Sequence, residues 1–300
     1  MFPTLFAVVV VLALGHLAPG LAAAVRDFGW YRALLDRLGR RFADDGFWRG
    51  RWGLLLALVP VLLVVALVQW LLDGVLYGLP ALLFGVAMVF YAWGPRDLDA
   101  SVDAVVHARD AAERREALAR LRPAAAAGSG EDRGGVGRVF VAALRRWFGV
   151  LFWFVLLGAT GALLYRLVVI AAEDEPALYL PPGTVDGARR LLALLDWPVA
   201  QLMALSLALV GNFDVAVSAW KSAGGAALRS GAGMLAAVGR ASVRWERAWG
   251  SGEDGPQDAA VPGAETPFIQ ALRGAMSLVW RVLLAWLAVL ALFVVAGWVN

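Results

Sequence analysis

Two ionisable residues stand inside long apolar stretches: Arg166 within Phe148 to Ile170, and Asp196 within Leu191 to Gly211. A charge at membrane depth is unfavourable by roughly 2.5–3.5 kcal/mol on insertion scales, so such groups are usually paired or line a polar cavity. Opposite signs make an Arg166–Asp196 ion pair one reading. Position offers another, because Arg166 lies near one end of its stretch, where a long side chain snorkels to the interface. Asp196 precedes Trp197-Pro198 and is placed to end one helix and cap the next. An arginine in such a site favours a ligand with an anionic group, carboxylate or phosphate. A small-molecule transport path would use the same two residues.

Asp99, Asp103 and His107 stand at i, i+4 and i+8, one face of a helix. Such a row can hold a divalent cation, directly or through a phosphate. It is equally a solvated face with local Asp–His pairing, and metal sites usually draw ligands from more than one element. No phosphate loop occurs: the run Gly128 to Gly137 lacks the Lys-Ser/Thr ending, and Lys221-Ser222 follows Trp220. HExxH and GxSxG are absent. With two histidines and no cysteine, neither a zinc site nor any thiolate chemistry is expected. The residues alone therefore imply no catalytic set, metal or cofactor.

These groups are carried by an unusually apolar chain. Of 300 residues, 61 % are hydrophobic and 17 % charged, and the mean hydropathy is +0.69. Soluble domains have about 45–50 % apolar residues with glycine included, and about 25 % charged. That excludes an ordinary soluble enzyme and a disordered chain, and leaves an all-α polytopic membrane protein. Six stretches approach the ~20 residues of a spanning helix: 2–21, 52–72, 75–93, 148–170, 191–211 and 278–299. None alternates with period two, so strands are not expected. The first ends in small residues like a signal peptide, but no Lys or Arg precedes it, which favours a retained helix. Gln69 lies near the end of the second stretch, and Asp73-Gly74 forms the turn of a helical hairpin with the third. Trp48, Trp52, Trp70, Trp93, Trp147 and Trp298 sit at span ends, as interfacial belts require.

Basic residues number 27, all arginine except Lys221, and the formal net charge is +3. They cluster beside the apolar stretches, where they set topology; nucleic acid is not an expected partner, and the lipid bilayer is. Residues 25–51 carry seven arginines and 94–146 carry ten, so both are assigned to the cytoplasm. The N-terminus, the Asp73-Gly74 turn and Glu173-Asp174-Glu175 then fall outside. Residues 212–277 are again basic, so 191–211 must cross to return them, unless it is a re-entrant or interfacial segment. The segments 94–146 and 212–277 read as cytoplasmic helices docked under one membrane domain. One helix opens at Gly94-Pro95 and another runs from Trp220 to Trp249, while residues 250–267 form a linker. On this topology Pro182 is outside, and Ala100, Ala127 and Ala236 are inside.

Three ordered segments resemble the AmpE family of inner-membrane proteins linked to β-lactamase induction, within the superfamily that also holds the CbiB/CobD cobalamin-biosynthesis proteins. The first is Gly94-Pro95-Arg96-Asp97-Leu98. The second is Phe152-Trp153, then Leu157-Gly158 and Gly161 through Arg166. The third is Leu195-Asp196-Trp197-Pro198 through Gln201-Leu202, then Ala208 through Asp214, and Trp220. The cobalamin branch resembles an ATP-dependent amide-forming synthase, whose carboxylates would hold Mg²⁺. Here the stretch before Phe152-Trp153 reads Val141-Ala142-Ala143-Leu144-Arg145-Arg146-Trp147 with no acid. Leu167 through Ile170 replaces a polar motif, and a double Asp is reduced to Asp196. These departures favour the AmpE-like branch over a membrane-embedded synthase.

The resemblance implies a multi-pass protein of the bacterial inner membrane in antibiotic-response and cell-wall signalling. It implies ligand-binding groups at Arg96, Asp97, Tyr165, Arg166, Asp196, Asn212 and Asp214. Six spans put these at opposite faces, roughly a bilayer thickness apart. Two clusters are therefore expected, Arg166 with Asp196 and Arg96 with Asp214, with Arg166 taking an anionic small molecule.

Overall fold

A computed structural model describes residues 28–42, 46–73, 79–93, 98–120, 135–174, 176–227, 231–250 and 267–296. These are helical, with no strand among them. The expected first span (2–21), the 94–97 motif with Arg96 and Asp97, and the 251–266 linker lie outside the described residues. Among the described residues, four helical stretches are long and apolar enough to cross a membrane by length and composition, Gly53–Leu72, Gly135–Glu173, Pro182–Val210 and Pro267–Phe293, the second of them interrupted at Gly158. The protein is an all-α polytopic helical membrane protein.

Helix α1 (Gly29–Arg41) is amphipathic, with Tyr31 and Leu35 buried and Arg32, Arg37, Arg40 and Arg41 on the same helix. A single turn, α2 (Gly46–Arg49), leads into α3 (Gly53–Leu72). Twenty residues rise about 30 Å, the thickness of the hydrocarbon layer. Only the first turns of α3 are buried, at Gly53, Leu54, Ala57 and Leu58. Leu63, Val64, Leu67 and Leu71 are exposed, a surface for lipid. Helix α4 (Leu79–Ala92) follows with 14 described residues. The expected single helix after it is two, α5 (Leu98–Val106) and α6 (Ala111–Arg120). Asp110 causes the break. Its Oδ1 accepts from the amides of Ala112 and Glu113 at 2.8 and 2.7 Å, and Glu113 Oε2 accepts from the Arg109 amide at 2.8 Å. This is a reciprocal cap that starts α6.

The next apolar stretch departs most from expectation. Helix α7 (Gly135–Ala143) passes through a π-helical turn (Leu144–Phe148) into α8 (Gly149–Glu173). At Gly158 the backbone leaves the helix, with φ 67° and ψ −152°. Only glycine occupies that region without strain. The contacts on either side move apart symmetrically about Gly158. A Cβ on Gly161 would meet the Trp153 carbonyl oxygen, and one on Gly149 would meet the Tyr165 ring. Farther out, Arg145 pairs with Glu173. In a straight helix Arg145 and Glu173 would be about 42 Å apart. The chain is therefore an antiparallel hairpin, with residues 135–157 as one limb and 159–173 as the other. The expected single crossing over 148–170 is overturned.

A reversal inside the apolar layer exposes main-chain groups that lipid cannot satisfy. Gln69 of α3 meets them. Its Oε1 accepts from the Thr160 amide and the Thr160 hydroxyl, each at 3.2 Å, and its Nε2 donates to the Leu157 carbonyl at 3.4 Å.

After a turn, α9 (Pro176–Tyr179), helix α10 (Pro182–Val210) runs unbroken through Asp196 and Pro198. Asp196 is thus mid-helix and caps nothing. The start of α10 packs on the entry to α3: Thr184 Oγ1 donates to the Trp48 carbonyl, and a Cβ on Gly187 would meet the Arg51 carbonyl. Pro182 and Glu173 therefore lie at the arginine-rich end of the bundle, which corrects their assignment to the opposite face. At Gly211 the chain turns again into α11 (Phe213–Ser222). Gln201 Oε1 accepts from Trp220 Nε1 at 2.8 Å, and Trp197 Nε1 donates to the Ala226 carbonyl at 3.0 Å, so α11 returns along α10. The 191–211 stretch is thus part of one unbroken 29-residue helix, long and apolar enough to cross a membrane, and it is the following α11 that folds back. Helices α12 (Gly231–Gly250) and α13 (Pro267–Val295) complete the chain. The expected Trp220–Trp249 helix is divided at 223–227, where Gly224 and Gly225 have positive φ. Trp48, Trp93 and Trp147 are core residues at 0, 7 and 3 % exposure, whereas Trp52 and Trp70 are exposed as belts require.

Two measurements check this fold. The chain has no cysteine, so single cysteines are unique labels. Asp73→Cys should react with a membrane-impermeant maleimide on one side, and Pro182→Cys, Ala100→Cys and Ala248→Cys on the other; labelling of Pro182→Cys together with Asp73→Cys would refute the hairpins. Gln69→Leu should lower stability by about 1–3 kcal/mol in detergent unfolding, because the turn at Gly158 loses its partners.

Candidate functional site

Polar side chains converge at the base of the 135–173 hairpin. The π-helical turn Leu144–Phe148 carries Arg145 and Arg146, and such turns recur at functional sites. The two arginines diverge: Arg146 Nη1 donates to Ser101 Oγ at 3.1 Å, while Arg145 turns into the bundle. Arg145 Nη1 pairs with Glu173, and its Nε donates to Asp196 Oδ2 at 3.3 Å. The Tyr165 hydroxyl donates to Asp196 Oδ1 at 2.6 Å. Both carboxylate oxygens of Asp196 are therefore engaged, on a side chain only 3 % exposed. Trp153 fixes the adjoining backbone by donating Nε1 to the Leu195 carbonyl at 3.2 Å. One guanidinium, two carboxylates and a phenol thus come from three segments, the first limb, the returning limb and α10.

The cluster opens on a cavity of about 270 Å³. Arg145, Glu173, Arg189 and Asp196 line it, and Gly231 through Gly233 at the start of α12 form its far wall. Groups of both signs face the space, so the arrangement suits a ligand that itself carries both signs, or one that exchanges hydrogen bonds with a carboxylate. Among the described residues no three His, Asp or Glu side chains converge as metal ligands. Asp99 Oδ1 accepts from Trp280 Nε1 at 3.1 Å, and His107 lies beyond the end of α5 with Nδ1 3.0 Å from the Asp103 carbonyl.

The sequence-derived residues separate. Tyr165 and Asp196 are in the cluster. Arg166 is not paired with Asp196. Neighbours on a helix point about 100° apart, so Tyr165 faces α10 and Arg166 faces α1. The Arg166 guanidinium carbon lies 5.7 Å from the centre of the Phe28 ring. Arg166 is 6 % exposed and its Nε has no hydrogen-bond partner, with Asp174 the carboxylate acting on it most strongly. The snorkelling alternative fails as well, since the side chain is buried in protein. Asn212 caps α11, its Oδ1 accepting from the Val215 amide at 3.0 Å. Asp214 is exposed in the first turn of α11, remote from the cluster in sequence and packing. Arg96 and Asp97 lie outside the described residues, so the Arg96–Asp214 cluster does too. Arg145, Glu173 and Arg189 were not anticipated as site residues. Arg145 is one of the ten arginines that the sequence assigns to the 94–146 loop; the signal that marks it is the helical spacing of Val136, Val139, Phe140 and Ala143, which carries the apolar stripe past it.

The ion pair makes a quantitative prediction. Arg145→Met leaves two largely buried carboxylates uncompensated and should cost about 3–5 kcal/mol of stability. Adding Glu173→Gln and Asp196→Asn should recover most of that loss. Arg166→Met should shift thermal unfolding much less than Arg145→Met. Equal effects of the two single changes would contradict the geometry. Comparison with known proteins adds no relative: no family model, no curated protein and no solved structure matches this chain.

Proposed function

We propose that this chain is a membrane-embedded sensor or regulatory protein of the AmpE type, acting in β-lactamase induction and cell-wall stress signalling at a bacterial inner membrane. The observation that carries the reading is the Arg145–Glu173–Asp196–Tyr165 cluster at the mouth of the 270 Å³ cavity. Tyr165 and Asp196 belong to two of the segments that resemble AmpE, and their 2.6 Å hydrogen bond joins those segments into one site. A signalling receptor needs a site that changes when occupied. Here a ligand with an amine and a carboxylate can replace internal partners, the amine taking Glu173 or Asp196 and the carboxylate taking Arg145 or Arg189. Peptide-bearing wall fragments carry both groups. The cavity is smaller than the usual ~300–1,000 Å³ cleft, so it suits the amino-acid end of such a fragment. Releasing Asp196 or Glu173 from Arg145 would free the hairpin base from α10, which couples occupancy to helix packing.

Deletion of the chain should change β-lactamase induction and the muropeptide pool under β-lactam challenge. Restoring it as Asp196→Asn should leave membrane insertion intact and fail to restore induction. Unchanged induction after deletion refutes the reading.

A further inference from the structure

A second cavity, about 700 Å³, lies between α1 and the start of α10. Its polar edge carries Arg32, Arg40 and Arg49, with one carboxylate, Asp36, which pairs with Arg40. Its accessible apolar surface comes from Ala33, Tyr179, Pro181 and Pro182, with Trp48 and Leu35 fully buried behind it. We propose that this cavity binds the phosphate-bearing headgroup of an anionic phospholipid, with the upper acyl chain against Tyr179 and the two prolines.

Three observations carry the inference. The first is charge: among the described lining residues, three guanidinium groups stand with one carboxylate. Guanidinium forks match phosphate oxygens. The second is level. Arg49 stands one turn before α3, the helix whose exposed leucines and valines face lipid. The cavity therefore sits where headgroups lie. Phe47 and Trp52, at 50 and 57 % exposure, flank it as interfacial side chains do. The third is rigidity. Thr184 holds the Trp48 carbonyl, and Gly183 meets the Arg49 carbonyl so closely that no Cβ fits. The segment bearing Arg49 is thus fixed by α10 and is a built wall. Basic pockets at the arginine-rich side of membrane proteins are a known setting for anionic headgroups. The apolar surface separates a lipid from free phosphate, since an inorganic anion has no use for Tyr179, Pro181 and Pro182.

The site is independent of the Arg145 cluster, so either can fail alone. The test is native mass spectrometry of the full chain in non-ionic detergent with added dioleoyl-phosphatidylglycerol, dioleoyl-phosphatidylcholine or sodium phosphate. The wild-type chain should retain phosphatidylglycerol at collision energies that strip phosphatidylcholine, and equimolar phosphate should not compete. Each arginine near an anionic headgroup contributes about a fivefold factor. Arg49→Gln should therefore reduce retention roughly fivefold, and Ala33→Phe, which narrows the cavity and keeps every charge, should also reduce it. Arg190→Gln, an exposed arginine outside the cavity, should leave retention unchanged. Equal retention of the two lipids by the wild-type chain overturns the proposal without any variant. Competition by phosphate overturns the lipid assignment, and loss of retention in Arg190→Gln equal to that in Arg49→Gln reduces it to surface charge.

Discussion

A helix that reverses inside an apolar layer must find partners for the amides and carbonyls that the reversal frees. Water is absent there, and each unsatisfied group costs several kcal/mol. In this protein the turn at Gly158 is possible because a neighbouring helix supplies Gln69. A single carboxamide offers both an acceptor and a donor, so it serves Thr160 and Leu157 at once. Everything at the hairpin base follows. With the turn fixed, the returning limb brings Tyr165 and Glu173 down beside the limb that carries Arg145. Without it, those residues would lie on a straight helix too far apart to meet.

The hairpin also explains how a guanidinium and two carboxylates are tolerated in an apolar bundle. Arg145, Glu173 and Asp196 come from segments distant in sequence, so none can pair locally. Their pairing locks the two limbs to α10, and the Tyr165 hydroxyl satisfies the remaining oxygen of Asp196. Breaking such a set by removing one partner is expensive, because it leaves an uncompensated buried charge. The stability of the hairpin base thus resides in side chains that also line a cavity.

Much of the architecture was legible because apolar runs are read directly. The all-helical membrane class, the 53–72 helix and the arginine-rich end emerge from composition and spacing. The hairpins did not, because hydropathy is blind to direction. A 39-residue apolar helix and a folded pair of shorter limbs have the same composition. The visible hint was Gly158 in mid-run with Gln69 opposite, and that pairing exists only in three dimensions. The site was half legible. Charges inside apolar runs drew attention to Arg166 and Asp196, but the partner of Asp196 lay just outside the assumed span, among arginines whose abundance already had an explanation. Trp48, Trp93 and Trp147 misled for a related reason, since position at a span end does not distinguish an interfacial ring from a packed one.

Arg166 shows why a charge in an apolar run needs its neighbours before it is given a role. It follows Tyr165 directly, yet one step around the helix puts it against Phe28 rather than Asp196. Its Nε lacks a partner while its guanidinium lies near an aromatic face, so part of its desolvation is offset by the ring and by Asp174. Phe28 directly precedes α1, so this contact sets the start of that helix against the same limb that carries Tyr165 and Glu173. A buried guanidinium on one side of the limb thus packs on a ring, while the phenol one position before it bonds a carboxylate on the other.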